Sequence, residues 1–347
     1  EGHVANDAIA GAFTLAFWLG TLKRVGLPAP TGGISEWKQW AQAARVQIAD
    51  RAPDEDLVKR RRVDLLKERL AVLSAVNTAD WVVTHGEGVY RAQPIWASYA
   101  YHRFIAHFKK VLIMSATLGD PKLLAERLGI DTDDVAHIDV PSGFPVENRP
   151  VFYWPVVKLS NASSDSDYDA LASAIDFISR QPLLAGRKGI VHTPSYNLVT
   201  QIRKHIAYGS PTLWLFHEEP QHRESCVEAF REAEYPLVLV TPSLATGFDL
   251  PYEIGWQVIA KLPFAHLGDP LVRARRDYQL PDDPRFGKRC YDDDAMNQIV
   301  QAAGRCVRAP DDEGVTYILD EHFWGLYKRA HSPEYFRQAL HWMPEAR

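Results

Sequence analysis

Cysteine is scarce. The three in 347 residues, Cys226, Cys290 and Cys306, lie far apart without C-x-x-C spacing, which excludes a disulfide framework and leaves no readable zinc or iron–sulfur site in this segment. A reducing compartment is expected. Basic charge is not in excess either: 39 Lys+Arg against 44 Asp+Glu give a formal charge of -5, so a nucleic-acid site has to come from a local basic face rather than the overall field. Long apolar runs are missing. The longest, Ala8 to Leu22 (AIAGAFTLAFWLGTL), has 15 residues including two Gly and two Thr, short of the ~20 needed to cross a bilayer. It reads as a buried helix, and no membrane partner is expected. The opening Glu1-Gly2-His3 has no Met and no basic n-region, so the run is not read as a signal peptide and Glu1 is read as an internal start. A G-x-x-x-x-G-K-[ST] phosphate loop occurs nowhere in the 347 residues.

What is present is a globular composition, 46% apolar, 24% charged and 11% aromatic, and at roughly 150 residues per domain the length predicts about two domains. Asn6 to Ala79 is helical in pattern: a Pro/Gly break at Pro28 to Gly33, a Trp37/Trp40 segment, and a helix from Asp54 to Val76 with Val63, Leu66, Leu70 and Leu73 on one face. The other face carries Lys59-Arg60-Arg61-Arg62, Lys67 and Arg69, either a phosphate-tracking stripe or a solvated face. From Trp81 the pattern changes. Strands are predicted at Asp80 to His85, Val111 to Met114, Gly189 to His192, Leu213 to Phe216, Leu237 to Val240, Gln257 to Ala260 and Val315 to Leu319. Helices are predicted at Ile95 to Phe108, Tyr168 to Arg180, Ser195 to Ala207, Gln221 to Glu234 and Asp292 to Ala303. Short apolar strands alternating with helices imply parallel βαβ units.

In open α/β sheets the functional groups gather where the strands end at their carboxyl side. Four such places carry polar signatures: Ser115-Ala116-Thr117, the Thr193-Pro194-Ser195-Tyr196 segment, Thr241 to Pro251 with Thr246-Gly247-Phe248-Asp249, and Gln301-Ala302-Ala303-Gly304-Arg305-Cys306-Val307-Arg308. Ser-Ala-Thr alone also reads as a helix N-cap. Gln-x-x-Gly-Arg-x-x-Arg offers two arginines three apart, planar bidentate donors for a phosphate, or a cationic helix end that complements the dipole.

With their order and spacing, these segments resemble motifs III, IV, V and VI of a superfamily 2 helicase of the XPD/DinG-like branch, and Glu1-Gly2-His3 resembles the end of its DEAH box, with Gly where Ala is commoner. Leu262-Pro263-Phe264 with Asp269-Pro270, and Asp311 to Asp320, resemble the segments that this branch carries after motifs V and VI. The likeness runs in register from about Trp81 to Phe323; Asn6 to Ala79 corresponds by position alone to the Arch insertion. The resemblance implies an α/β fold: RecA-like helicase domain 2, the end of RecA-like domain 1 and a small helical Arch-like insertion. The implied bounds are 1–5 for the end of the DEAH box, 6–80 for the Arch-like subdomain, 81–140 for the rest of domain 1 and 141–347 for domain 2.

The implied activity is that of an ATP-dependent DNA helicase translocating on a single strand, with 5′ to 3′ polarity taken from the family. A helicase splits its nucleotide site between two RecA-like domains. By resemblance, Glu1 would activate the attacking water and reach the metal indirectly, the aspartate before it lying outside the chain. His3, Ser115, Thr117, Gly247 and Asp249 would couple nucleotide to strand. Arg305 and Arg308, oriented by Gln301, would meet the γ-phosphate, Arg308 as the finger. Thr193, Ser195, Tyr196, Thr241 and Ser243 would contact strand phosphates without reading sequence, and Tyr196 or Phe264 could stack on a base. ATP and Mg²⁺ are the implied cofactors of the full protein; an iron–sulfur domain, if there is one, would lie upstream. The implied partners are single-stranded or forked DNA and the amino-terminal RecA-like half, in the cytoplasm or on the nucleoid, and the chain alone is expected to be inactive. The alternative reading is a non-catalytic nucleic-acid-binding module with a helicase fold. A nuclease is disfavoured, since Asp292-Asp293-Asp294 reads as a helix start rather than a metal site.

Overall fold

The computed structural model describes residues 13–14, 30–49, 57–86, 89–99, 105–160, 162–207, 209–242 and 254–343. They fall into two compact units, one drawn from Glu1–Ile113, Lys122–Val135 and His266–Lys288, the other from Met114–Pro121, Ala136–Ala265 and Arg289–Arg347.

The first unit is built on strand β1 (Phe13–Thr14) and two helices, α1 (Ile34–Ala49) and α2 (Leu57–Ala75), followed by the antiparallel hairpin of β2 (Trp81–Gly86) and β3 (Val89–Pro94). In α1 the buried residues Trp37, Trp40, Ala41, Ala44 and Ile48 recur at helical spacing, and they meet Leu66, Leu70 and Leu73 of α2 with Trp81 and Ala92 of the hairpin. Each fully buried large side chain contributes about 1.5–3 kcal/mol, so the packed face, not the polar one, holds these helices together. Arg60 and Arg61 point to solvent.

The segment His266–Lys288 belongs to this unit. Its helix Pro270–Asp277 begins with Asp269 Oδ1 accepting from the backbone N–H of Leu271 (2.7 Å) and Val272 (3.3 Å). The arginines there are engaged within the protein: Arg275 donates to the Ile95 carbonyl (2.8 Å) and lies over the Trp96 ring, as Arg127 does, and Arg276 pairs with Asp277. The Tyr278 hydroxyl donates to Asp80 (2.7 Å), and burial, then the Asp80 carboxylate, push its pKa up to about 12.

In the second unit seven parallel strands form one sheet. They are β4 (Val151–Val157), β5 (Lys188–His192), β6 (Trp214–Phe216), β7 (Val238–Thr241), β8 (Ile254–Ile259), β9 (Val315–Asp320) and β10 (Leu340–Trp342), in the order β10-β4-β9-β8-β5-β7-β6. Every residue of β7 and β8 is buried, which is why these strands read as unbroken apolar runs. One face of the sheet packs on α4 (Asp165–Ser179) and α5 (Tyr196–His205) through Leu171, Ile175, Val199 and Ile202. The other packs on α6 (Arg223–Glu232), α7 (Phe286–Ala303), α8 (His322–Tyr327) and α9 (Glu334–Ala339) through Phe230, Met296, Ile299, Phe323 and Phe336. The result is a three-layer α/β/α arrangement. Gly189 in β5 is required by packing: a Cβ there would collide with the indole of Trp256 on the neighbouring strand.

Four sequence expectations are corrected. Ala8 to Leu22 is not one helix: Phe13 and Thr14 form a strand paired with Ala92 and Arg91 of β3, and the rest of the run lies outside the described residues. Asp292-Asp293-Asp294 is not a helix start, because α7 already begins at Phe286; Asp293 lies buried within it. Val111 to Met114 is not a strand: no neighbouring strand supplies ladder bonds to it among the described residues, and Leu112 and Met114 are each 79% exposed. Ile95 to Phe108 is not one helix in its described parts. It holds 3₁₀ turns at residues 97–99 and at Ile105–His107, while residues 100–104 lie outside the described residues.

Candidate functional site

Two of the described polar signatures lie at strand ends of the second unit. After β5, Thr193 is fully buried and its hydroxyl donates to the Ser195 carbonyl (3.1 Å). Ser195 is the N-cap of α5, its Oγ accepting from the Leu198 N–H (3.3 Å), and it is exposed. Tyr196 stacks edge-on against His217, ring centroids 5.2 Å apart. Thr241, at the end of β7, is buried; its hydroxyl meets His217 Nδ1 (2.9 Å) and its carbonyl accepts from the Thr193 N–H (3.0 Å). Thr193, Ser195, Tyr196 and Thr241 are thus one connected group in which Ser195 presents its hydroxyl at the surface.

The Ser-Ala-Thr segment does not cap a helix: α3 (Pro121–Leu128) starts only at Pro121, and Ser115 Oγ instead accepts from the Thr117 N–H (3.2 Å). Three bonds tie the segment to the rest of its unit. Gln301 Nε2 donates to Thr117 Oγ1 (2.7 Å), the Tyr335 hydroxyl donates to the Ala116 carbonyl (3.1 Å), and Asp293 Oδ1 accepts from the Asp120 N–H (2.9 Å). Gly119 turns the chain with φ +75, where a Cβ would also meet Asp293 and Asn297. Around this segment lies a cavity of about 520 Å³, within the 300–1,000 Å³ of small-molecule sites. Ser115, Thr117, Asn297, Arg308, His331 and Tyr335 are among its lining residues.

The turn after α7 shapes one wall. The Gly304 N–H donates to the Val300 carbonyl (3.1 Å) and the Arg305 N–H to the Ala302 carbonyl (3.0 Å). Arg308 is exposed and lines the cavity, its backbone N–H bound to buried Asp312 (3.0 Å). Arg305 does not line it; it lies close enough to His192 to disfavour that ring's charged form. Cys306 between them is buried, and burial pushes its thiol far up, so it is inert at neutral pH. Burial lowers the pKa of His331, keeping an uncharged imidazole at the cavity wall, and raises that of Tyr335. Arg149 donates to the Tyr335 carbonyl (2.5 Å) and the Phe144 carbonyl (3.2 Å), and so braces the opposite side.

Arg308, the hydroxyls of Ser115 and Thr117, and the side-chain amide of Asn297 suit the phosphate end of a nucleotide. Among the described residues no three or more His, Cys, Asp or Glu group to hold a metal. Glu1, His3, Ser243, Gly247 and Asp249 lie outside the described residues. The sequence reading passed over Gln257 and His192, both buried. The signal was there, a glutamine inside the otherwise apolar run of β8 (IGWQVI), where an amide is retained only if fully hydrogen-bonded.

Residues 183–346 match the family model of the helicase C-terminal domain. The fold is similar to that of S. tokodaii Xpd4 (TM-score 0.52, 17% identity, 92% of this chain and 60% of that one) and to that of an apo XPD structure (TM-score 0.51, 16% identity, 83% and 59%). A further XPD helicase structure gives TM-score 0.50 at 14% identity, over 89% of this chain and 62% of that one. The chain spans about 60% of the length of these XPD chains. No curated protein matches the sequence. The RecA-like expectation is met by the seven-stranded parallel sheet.

Proposed function

We propose that the protein carrying this helicase region is an ATP-dependent DNA helicase, a single-strand translocase moving 5′ to 3′. The observation that supports the reading most is the Gln301–Thr117 bond, which joins the motif III-like and motif VI-like segments beside the cavity that Arg308 lines. In this reading residues 1–5 end the DEAH box, 6–80 are the Arch-like insertion, 81–140 complete RecA-like domain 1, and 141–347 are domain 2.

Phosphoryl transfer depends on positioning and charge neutralisation. Arg308 would neutralise charge developing on the γ-phosphate, Gln301 would hold Ser115 and Thr117 against the arginine turn, and Arg305 would support it. Glu1 would activate water, with His3, Gly247 and Asp249 coupling nucleotide to strand. Mg²⁺, when bound with ATP, would screen the phosphate charges, with Glu1 reaching it indirectly. Ser195, Tyr196 and Ser243 would contact the strand. Thr193 and Thr241, their hydroxyls bonded internally, would hold that loop in shape. The amino-terminal RecA-like half is the proposed partner of Val111 to Met114 and of Ile138 and Val140, which are 80% and 72% exposed: apolar segments that a neighbouring sheet would cover. The location in this reading is the cytoplasm or the nucleoid. Among the described residues no helix is long and apolar enough to cross a membrane.

The test is phosphate release from ATP with and without single-stranded DNA, for this chain alone and preceded by its upstream sequence. Hydrolysis stimulated by the strand in the longer form only is the expected result. Strand binding without hydrolysis in the longer form would replace the reading by a non-catalytic binding module.

A further inference from the structure

The buried amide of Gln257 makes three hydrogen bonds to three different elements. Its Nε2 donates to the Ala302 carbonyl at the end of α7 (2.7 Å) and to Thr316 Oγ1 on β9 (2.8 Å), and its Oε1 lies 2.9 Å from His192 Nε2 at the end of β5. The bonding fixes every proton. A backbone carbonyl only accepts, so the NH₂ group faces Ala302 and the amide oxygen faces His192, and the ring therefore donates from Nε2. His192 is held neutral: burial first, then Arg305, bring its pKa down to about 4, and Nδ1 has no hydrogen-bond partner. The register accounts for the reach. Gln257 pairs with Ile190 on β5 and with Thr316 on β9, so His192, two residues beyond Ile190, falls on the same face of the sheet.

The two ends of this bridge are the two halves of the proposed machine. The Ala302 carbonyl that Gln257 binds is the one that accepts from the Arg305 N–H, so the amide fastens the turn that presents Arg305 and Arg308. His192 immediately precedes the Thr193–Tyr196 loop with its exposed Ser195. A shift of the arginine turn strands a buried donor unless the amide and the imidazole move with it. We propose that Gln257 is a positioning residue that transmits the state of the arginine turn to the strand-binding loop through His192. This rests on the helicase reading above.

The experiment uses the protein with its upstream sequence and measures the affinity for fluorescein-labelled oligothymidylate, with and without magnesium adenylyl imidodiphosphate. In the native protein the nucleotide should change strand affinity by about 5–150-fold, the ordinary range of linkage between sites. In Gln257→Met, which keeps the side-chain length and removes both donors, that factor should fall towards one while each ligand still binds. An unchanged factor in a folded Gln257→Met protein overturns the inference and leaves the helicase reading standing. No nucleotide effect in the native protein removes that reading and the inference with it. A second measurement needs no variant: in protein with isotope-labelled histidine, the Nε2–H signal of His192 should move when the nucleotide alone is added. A signal that stays still on saturation with nucleotide overturns the inference.

Discussion

The two units bury different things. In the helical unit Ser74 is the one buried polar side chain among the described residues, and the core is Trp, Leu and Ala at helical spacing. In the sheet unit twelve polar side chains are buried, among them His192, Thr193, His217, Thr241, Gln257, Asp293 and Asp320. An unbonded buried polar group costs about 1–3 kcal/mol, so a fold that keeps many of them has bonded them to one another, and bonded groups fix geometry. The helical unit is held by non-directional packing. The sheet unit holds specified positions at its strand ends, and those are where the candidate site lies.

The sharpest way to break the comparison is to exchange effects between the units. Arg308→Ala in the longer form should reduce strand-stimulated hydrolysis by about 10³–10⁵, measured as phosphate release, whereas Arg60→Ala or Arg61→Ala on α2 should leave it within an order of magnitude. In the helical unit the effect should be one of packing. Leu70→Ala should cost about 2–5 kcal/mol by chemical denaturation, because Leu70 is fully buried between α1 and α2.

The pH dependence should belong to the sheet unit. Burial holds the His192 pKa down to about 4 in the folded protein, against the ordinary 6.5 of an unfolded chain. The unfolded chain therefore binds the proton first, and stability falls as pH drops from about 7 to about 4, by about 3 kcal/mol in all. Denaturation at successive pH values should lose that slope in His192→Gln. The smallest effect is expected for Ser195→Ala, which removes the α5 cap at about 1 kcal/mol and weakens single-strand affinity a few-fold by fluorescence anisotropy.

Legibility divides along the same line. Gly189 to His192, Leu237 to Val240 and Val315 to Leu319 were readable because a strand buried on both faces must be apolar throughout. Val111 to Met114 has the same composition and no partner strand, and composition cannot report a missing neighbour. The apolar faces of α1 and α2 were readable from spacing, but β3, carrying Arg91 and Gln93 among small and apolar residues, was not. That Arg275 engages Trp96 and the Ile95 carbonyl depends on residues some 180 positions away. Arg308, Ser115 and Thr117 were found through order and spacing. Gln257 was passed over because its chemistry lies in its partners, on β5, α7 and β9, and no local pattern names them.

Under the proposed function the cavity beside Ser115, Thr117 and Arg308 would receive the triphosphate. Photo-crosslinking the longer form with an ATP analogue reactive at the γ-phosphate, followed by peptide mapping, tests it directly. Label on the peptides carrying Ser115–Gly119 or Gly304–Arg308, competed away by ATP, is the predicted result. Competable label confined to peptides of the helical unit would contradict it.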